Sequence, residues 1–290
     1  MRSRYAVAVA VSLLGAGLTR ADFTNNIMLT GYWPPTNEML RRFSSNPEQN
    51  PDGWIGGNWE GRGYDIYSFF PEFPEGLGRG VGDFEVDYQD TSYDFWRFVE
   101  QLDPVAIVTF GRGSPGRSWE LEWQTRNLAQ WIDDYSEPLQ PTPAPPDPSV
   151  PADFIRYSTL PMQAIVDAVN AAYADIRLNA FIDDTNFAGA FLCEYIGYHA
   201  SWYHDLHALP EDPYWNVAAG HIHVGSSVGI RASRIATEIT LRELTSYLDT
   251  IVPEPGTAAL LAIGGMAIVR SRRVCSPPKG RPAETMSGKR

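Results

Sequence analysis

The sequence predicts an α/β protein built on a mainly parallel sheet. Three observations carry that reading. Val105–Phe110 is a continuous apolar run between Pro104 and Gly111, the mark of a strand buried on both faces. Segments of helical period alternate with strand-like runs along most of the chain. The closing segment, Arg231 to Leu248, sets Ile235, Ile239, Leu241, Leu244 and Leu248 near a 3.6 period, so it reads as an amphipathic helix.

The remaining elements follow in order. Asn26 to Gly31 is a short apolar strand, and Met39 to Phe43 starts a helix. Asn46 to Gly63 is rich in Gly, Asn, Pro and Trp and reads as loop. Tyr64 to Phe70 is strand, Phe73 to Gly82 loop, and Phe84 to Tyr88 a further strand. Ser92 to Gln101 is helical, with Phe95, Phe98 and Val99 on one side. Ser136 to Pro151 holds seven prolines in sixteen residues, which excludes helix and central strand. Both of its flanks fit one fold, so it reads as a long surface insertion. Leu160 to Tyr173 is a helix with Pro161 in its first turn. Phe181 lies in a strand, Cys193 opens a helix to about Leu209, and Gly220 to Val228 is the next strand.

The two ends read as targeting segments rather than fold. Residues 1–21 combine Arg2 and Arg4, an apolar stretch from Tyr5 to Leu18, and Thr19-Arg20-Ala21, the layout of a signal peptide. At the other end Val252-Pro253-Glu254-Pro255-Gly256 precedes an apolar run, Thr257 to Val269, and then Arg270, Arg272 and Arg273. This order resembles the PEP-CTERM sorting signal. The resemblance implies a short membrane segment within residues 251–273, an exosortase-type partner that removes it, and a basic tail at 274–290. Localisation is then exported, at the cell envelope or outside it, with transient membrane anchoring. Between the two ends lie 13 arginines, no lysine and 34 acidic residues. Such a body is repelled by nucleic acid and by anionic lipid.

Cysteine use narrows the chemistry. Of two cysteines, Cys275 lies beyond the apolar run, which leaves Cys193 as the one thiol of the body. It follows Ala188-Gly189-Ala190-Phe191-Leu192, and Gly220-His221-Ile222-His223-Val224-Gly225 comes later. A thiol nucleophile and its base are commonly supplied in this way, distant in sequence and adjacent in the fold. In a strand His221 and His223 share a face, so spacing alone does not choose between them. His199, His204 and His207 read as packing or surface residues, since no third ligand stands at metal-site spacing.

Four segments in order resemble pyroglutamyl peptidase I: Thr30-Gly31-Tyr32-Trp33-Pro34-Pro35; Gly116-Arg117 with Leu121-Glu122 and Asn127; Thr159-Leu160-Pro161 with the helix it opens; and Ala188-Gly189 to Cys193 with Gly220 to Val224. Together they span residues 26–248. The resemblance implies a three-layer α/β/α sandwich with an open, mainly parallel mixed sheet. It also implies a Cys–His–Glu triad of Cys193 as nucleophile, His223 as base and Glu122 as orienting acid. Glu120 and His221 are the rivals for the last two roles. Substrate binding falls on Tyr32, Pro35, Gly111 and Arg117, with no metal or organic cofactor. Members of the family often form tetramers, and the insertions here stand in the way of that contact.

Three positions depart from the family. Pro35 replaces a pocket phenylalanine, and Trp131 or Ile132 falls where an active-site arginine stands, with Arg126 or Arg117 as substitutes. Glu194 replaces an asparagine and sets a carboxylate beside the thiol. The function implied is an exported cysteine hydrolase cleaving an N-terminal pyroglutamyl or related acyl-amide bond in a peptide or small amide. The alternative is a non-catalytic surface or matrix protein that retains the peptidase fold.

Overall fold

The computed structural model describes residues 24–185 and 188–252. The signal-peptide, sorting-signal and basic-tail readings lie outside these residues. Among the described residues no helix is long and apolar enough to cross a membrane. The chain divides into two compact units, residues 1–245 and 246–290. Of the second unit, only the end of the last helix and Val252 are described.

A six-stranded sheet runs through the first unit. Its strands are β1 (Asn26–Thr30), β2 (Asp65–Phe69), β3 (Ala106–Gly113), β4 (Ser118–Glu122), β7 (Asn179–Asp183) and β8 (Ala218–Gly225), in the order β2-β1-β3-β8-β4-β7. Strands β2, β1, β3 and β8 pair in parallel, β4 meets β8 antiparallel, and β7 is parallel to β4. Two short strands, β5 (Gln124–Arg126) and β6 (Ile155–Tyr157), form a separate antiparallel pair. Helices cover both faces. On one, α2 (Tyr88–Leu102) and α5 (Leu192–Leu206) pack together, and α5 lies over β3 and β8. On the other, α6 (Ile230–Ile251) reaches β4, where Trp119 Nε1 donates to Thr240 Oγ1 at 3.2 Å. Helix α1 (Thr36–Leu40) adjoins α6 through Arg234, which donates to the Glu38 carbonyl. The α/β sandwich with a mainly parallel mixed sheet is therefore as the sequence implies.

The core follows the burial pattern of parallel sheets. Val105 to Phe110 is fully buried and forms the centre of the sheet, as its unbroken apolar run requires. Helix α5 approaches the sheet at Gly197. A Cβ there would lie 3.0 Å from both His221 Cβ and Thr125 Cγ2, so a larger residue would lift the helix off the strands.

Three local readings change. Phe84 to Tyr88 is not a strand. Phe84 takes φ +56°, and Asp87 caps α2 by accepting from the amides of Gln89 and Asp90. The alternation of Phe84, Val86 and Tyr88 looks strand-like, yet all three sit in one apolar cluster beside Phe95 and Tyr195. The helix expected from Leu160 to Tyr173 is two pieces, α3 (Met162–Ala171) and α4 (Tyr173–Ile176). The α5 helix ends at Leu206 rather than Leu209.

Residues 136–151 contain no helix or strand, as the prolines dictate, but the segment does more than cover the surface. Asp147 is fully buried and accepts from Arg156 Nη2 at 2.7 Å and from the Tyr198 hydroxyl at 3.3 Å. Its backbone oxygen accepts from Asn127 Nδ2 at 2.8 Å. Arg156 is itself buried and also pairs with the more exposed Asp205. Removing one member of a buried pair strands the other charge. Asp147→Ala should therefore destabilise the protein by about 3 kcal/mol in urea unfolding, Asp205 offsetting part of the loss; a change within experimental error would show the segment to be loosely held.

Candidate active site

Strand register assembles the site on the α5 face of the sheet. Thr109 lies opposite His221 and Gly111 opposite His223 across β3–β8. Across β8–β4, Glu120 lies opposite His223 and Glu122 opposite His221. Alternation puts these side chains on one face. Cys193 enters from above, in the first turn of α5, where no side chain caps the helix.

The result is a chain of three groups. His223 Nδ1 lies 2.7 Å from Glu122 Oε1. With Nδ1 engaged there, Nε2 is the nitrogen left for Cys193, whose sulfur lies within 4.8 Å of this ring. Cys193 Sγ and one nitrogen from each of His221 and His223 lie within 4.8 Å of one another. The thiol is half-buried. Glu122 is buried, and desolvation holds its carboxyl above the ordinary value against the pull of His223. For His223 desolvation favours the neutral ring, but Cys193 and Glu122 together outweigh it and raise the imidazole well above its ordinary value. The charged form of the ring is thereby favoured beside these two partners. His221 is different. It is fully buried, its Nδ1 lies 2.8 Å from Thr109 Oγ1, and desolvation and the neighbouring His223 hold it well below the ordinary value. Of the two histidines that spacing left open, His223 carries the carboxylate bond and His221 stands beside it. Glu120 lies near His223 too, within the same 4.8 Å limit as Glu122.

Gly111 forms the floor. A Cβ there would fall 2.4 Å from Cys193 Sγ and 2.9 Å from His221 Nε2, so sulfur and ring meet directly over this backbone. Tyr32 is buried, with its hydroxyl 3.0 Å from Thr91 Oγ1. Burial raises its phenol well above the ordinary value. Pro35 is buried at the start of α1. Arg117 is occupied elsewhere: its Nε and Nη2 donate to the carbonyls of Arg177 and Ile176, both at 2.7 Å. It clasps the turn after α4 and does not join the cysteine cluster.

Two features escaped the sequence. Phe191, the residue before α5, stacks on Trp33 with centroids 6.2 Å apart, and Tyr135 meets Trp33 edge-on at 6.3 Å. This aromatic stack stands two residues from Cys193. The signal was present as exposed aromatics in separate loops, but nothing in the chain joins them before folding. Glu194 is the second. It turns away from the thiol, is fully buried, and accepts from the Arg126 amide at 2.6 Å. Burial pushes its carboxyl up to about 8, against the opposing Arg126. At neutral pH it is mainly the uncharged acid, so the expected charge beside the thiol is largely absent. Arg126 is directed to Glu194 and to the Gly189 carbonyl. The other histidines are packing residues, as expected. His199 bonds to the Tyr195 carbonyl and Ser92, while His204 and His207 turn to different partners, Asn216 and Asp212.

The fold resembles that of solved pyrrolidone carboxyl peptidases. The enzyme from Thermococcus litoralis matches with a TM-score of 0.55 at 17% identity, over 78% of this chain and 95% of that one. The enzyme from Pyrococcus furiosus matches at 0.55 and 15%, over 77% and 99%. Pyroglutamyl peptidase I from Bacillus amyloliquefaciens matches at 0.53 and 16%, over 76% and 97%. At these identities the likeness is one of fold. No family model matches the chain, and no curated protein matches it.

Glu194 has a measurable consequence. Its folded value of about 8 lies above the unfolded value near 4.5, so the folded chain binds the extra proton between them. Stability from this group is full below pH 4.5 and falls as pH rises through 8. Glu194→Gln should match the parent near pH 4.5 and exceed it at pH 9 by a few kcal/mol in urea unfolding. Equal stability at both pH values would contradict the buried, protonated carboxyl.

Proposed function

We propose that this chain is a cysteine hydrolase that cleaves an acyl-amide bond at a peptide N-terminus, pyroglutamyl or a close relative. The observation that carries the reading is His223, hydrogen-bonded through Nδ1 to a buried carboxylate and within 4.8 Å of the only thiol of the body. In this reading Cys193 attacks the acyl carbon as thiolate. The His223 imidazolium then gives its proton to the leaving amine, and the same ring activates the water that releases the acyl group. Glu122 holds the ring orientation and favours the imidazolium, as the acid does in serine triads. Backbone N–H groups of the first turn of α5 supply positive potential for the oxyanion.

The Trp33–Phe191–Tyr135 stack gives an apolar seat for a flat five-membered lactam. It takes the part that the family assigns to the ring replaced by Pro35. Gly111 keeps the floor open beneath the acyl group. Arg117 is dropped from the substrate-binding set, because its guanidinium is committed to backbone carbonyls. The resemblance to peptidase structures supports a peptide or small acyl-amide as substrate. The location is proposed on sequence alone: export by the first 21 residues, and sorting by an exosortase-type enzyme at the C-terminal signal.

A pyroglutamyl-coumarin amide tests turnover, and iodoacetamide tests the thiol separately. Hydrolysis should be abolished in Cys193→Ala and fall about a thousandfold or more in His223→Ala. Alkylation of Cys193 at pH 6–7 should fall about tenfold or more in His223→Ala, since the imidazolium partner is lost. Gly111→Ala should suppress both, because its methyl would occupy the space of the sulfur. The His223 proton is held well above the ordinary histidine value, so the alkaline limb of hydrolysis lies above that of an ordinary histidine and moves down in Glu122→Gln. Fast alkylation without hydrolysis would point to another acyl group. Alkylation unaffected by His223→Ala would favour a non-catalytic surface protein.

A further inference from the structure

The triad leaves a second histidine without a task. His221 is fully buried, and its Nε2 has no hydrogen-bond partner. An orphaned buried nitrogen is costly to a fold, so it calls for an explanation. Its direction is fixed by Gly111: a Cβ at that glycine would be 2.9 Å from His221 Nε2 and 2.4 Å from Cys193 Sγ. The nitrogen therefore faces the sulfur.

The hydrogen bonds set the ring's proton. Thr109 Oγ1 donates to the Gly220 carbonyl at 3.3 Å, which leaves its oxygen to accept from His221 Nδ1–H at 2.8 Å. Nε2 then keeps its lone pair. His223 is arranged in parallel: Nδ1 donates to Glu122 at 2.7 Å, which leaves Nε2 as the nitrogen for Cys193, the two groups lying within 4.8 Å. Each ring is anchored through Nδ1 by a protein oxygen and presents Nε2 to the same sulfur. Metal-binding histidines are held in this way by their outer partners. One thiolate and two imidazoles form a borderline-soft donor set suited to zinc. Donor atoms on one tetrahedral zinc stand ~3.5 Å apart, given bonds of ~2.0–2.3 Å. That lies inside the 4.8 Å limit that these three atoms already meet.

We propose that Cys193, His221 and His223 form a three-ligand Zn²⁺ site whose filling caps the nucleophile. One Zn–S and two Zn–N bonds form. The proton shared by Cys193 and His223 leaves to solvent, nothing is oxidised or reduced, and water takes the fourth position. The metal site stands on geometry alone; its role as a reversible block rests on the hydrolase reading above. Glu120, Glu122 and His223 also cluster, but His223 Nδ1 is already committed to Glu122, which leaves the sulfur side for the metal.

The test uses the full chain carrying Cys275→Ser, in which Cys193 is the one thiol. Cobalt and zinc are titrated into the metal-free protein. One equivalent of Co²⁺ should give a sulfur-to-cobalt charge-transfer band and strong tetrahedral d–d absorption. Zn²⁺ should displace it and shield Cys193 from iodoacetamide. Cys193→Ala should remove the charge-transfer band. His221→Asn keeps a donor for Thr109 and lacks Nε2. It should weaken zinc about tenfold or more while alkylation of the metal-free variant stays within about twofold of the parent. His221→Phe, which fills the space with an apolar ring, should show the same loss. No charge-transfer band in the folded protein, or unchanged zinc affinity in both His221 variants, overturns the site. Zinc binding of this kind in a protein that cleaves no amide supports the site and counts against the hydrolase reading only.

Discussion

The hydrogen bond between Glu122 and His223 depends on one feature of the topology, the antiparallel meeting of β4 and β8. Entering beside β8, this strand sets Glu120 across from His223 and Glu122 diagonal to it, within hydrogen-bond reach of the ring. The parallel block β2-β1-β3-β8 contributes Gly111 and the two histidines, and β4 brings the acid from the opposite direction. The α5 helix then lowers Cys193 onto the ring. Gly197 lets the helix come close, and Gly111 leaves the sulfur a place to stand. Two missing side chains are as necessary to this site as the three that are present.

Charge placement explains why an acidic chain can hold such a cluster. Burial raises the Glu122 carboxyl above its ordinary value, and His223 opposes that rise. Glu194, one residue from the thiol, has Arg126 beside it, but burial outweighs that cation and pushes its carboxyl up to about 8. The two buried carboxylates differ in role because they differ in partner. The same contrast separates the histidines: His223 is drawn toward the charged form by its neighbours, and His221 is kept neutral by burial.

Much of this was legible in the chain. The run Val105–Phe110 forms the central strand, and the helices containing Phe95, Cys193 and Ile235 lie where their apolar periods set them. Cys193, His223 and Glu122 could be named because residue types in the right order resemble a known family. Other parts were hidden for physical reasons. Strand β4, Ser-Trp-Glu-Leu-Glu, turns its acids toward a buried cluster, so hydrophobic alternation misreads its inner face. Phe84 to Tyr88 alternates like a strand, while Asp87 caps a helix within it. Asp147, in a stretch that reads as exposed loop, is paired with an arginine that the sequence does not connect to it. The Trp33–Phe191–Tyr135 stack draws from three loops. Pairings of this kind belong to tertiary structure and leave no local pattern.

The most direct measurement is the state of the histidine rings in the folded protein, followed by nitrogen-15 NMR across the pH range. The account predicts that His223 remains imidazolium well above the pH at which an ordinary histidine is neutral, with a far-downfield Nδ1 proton shared with Glu122. His221 should stay neutral throughout, with its proton on Nδ1. Two rings that titrate together near the ordinary value, with no downfield proton, would contradict the Cys193–His223–Glu122 chain.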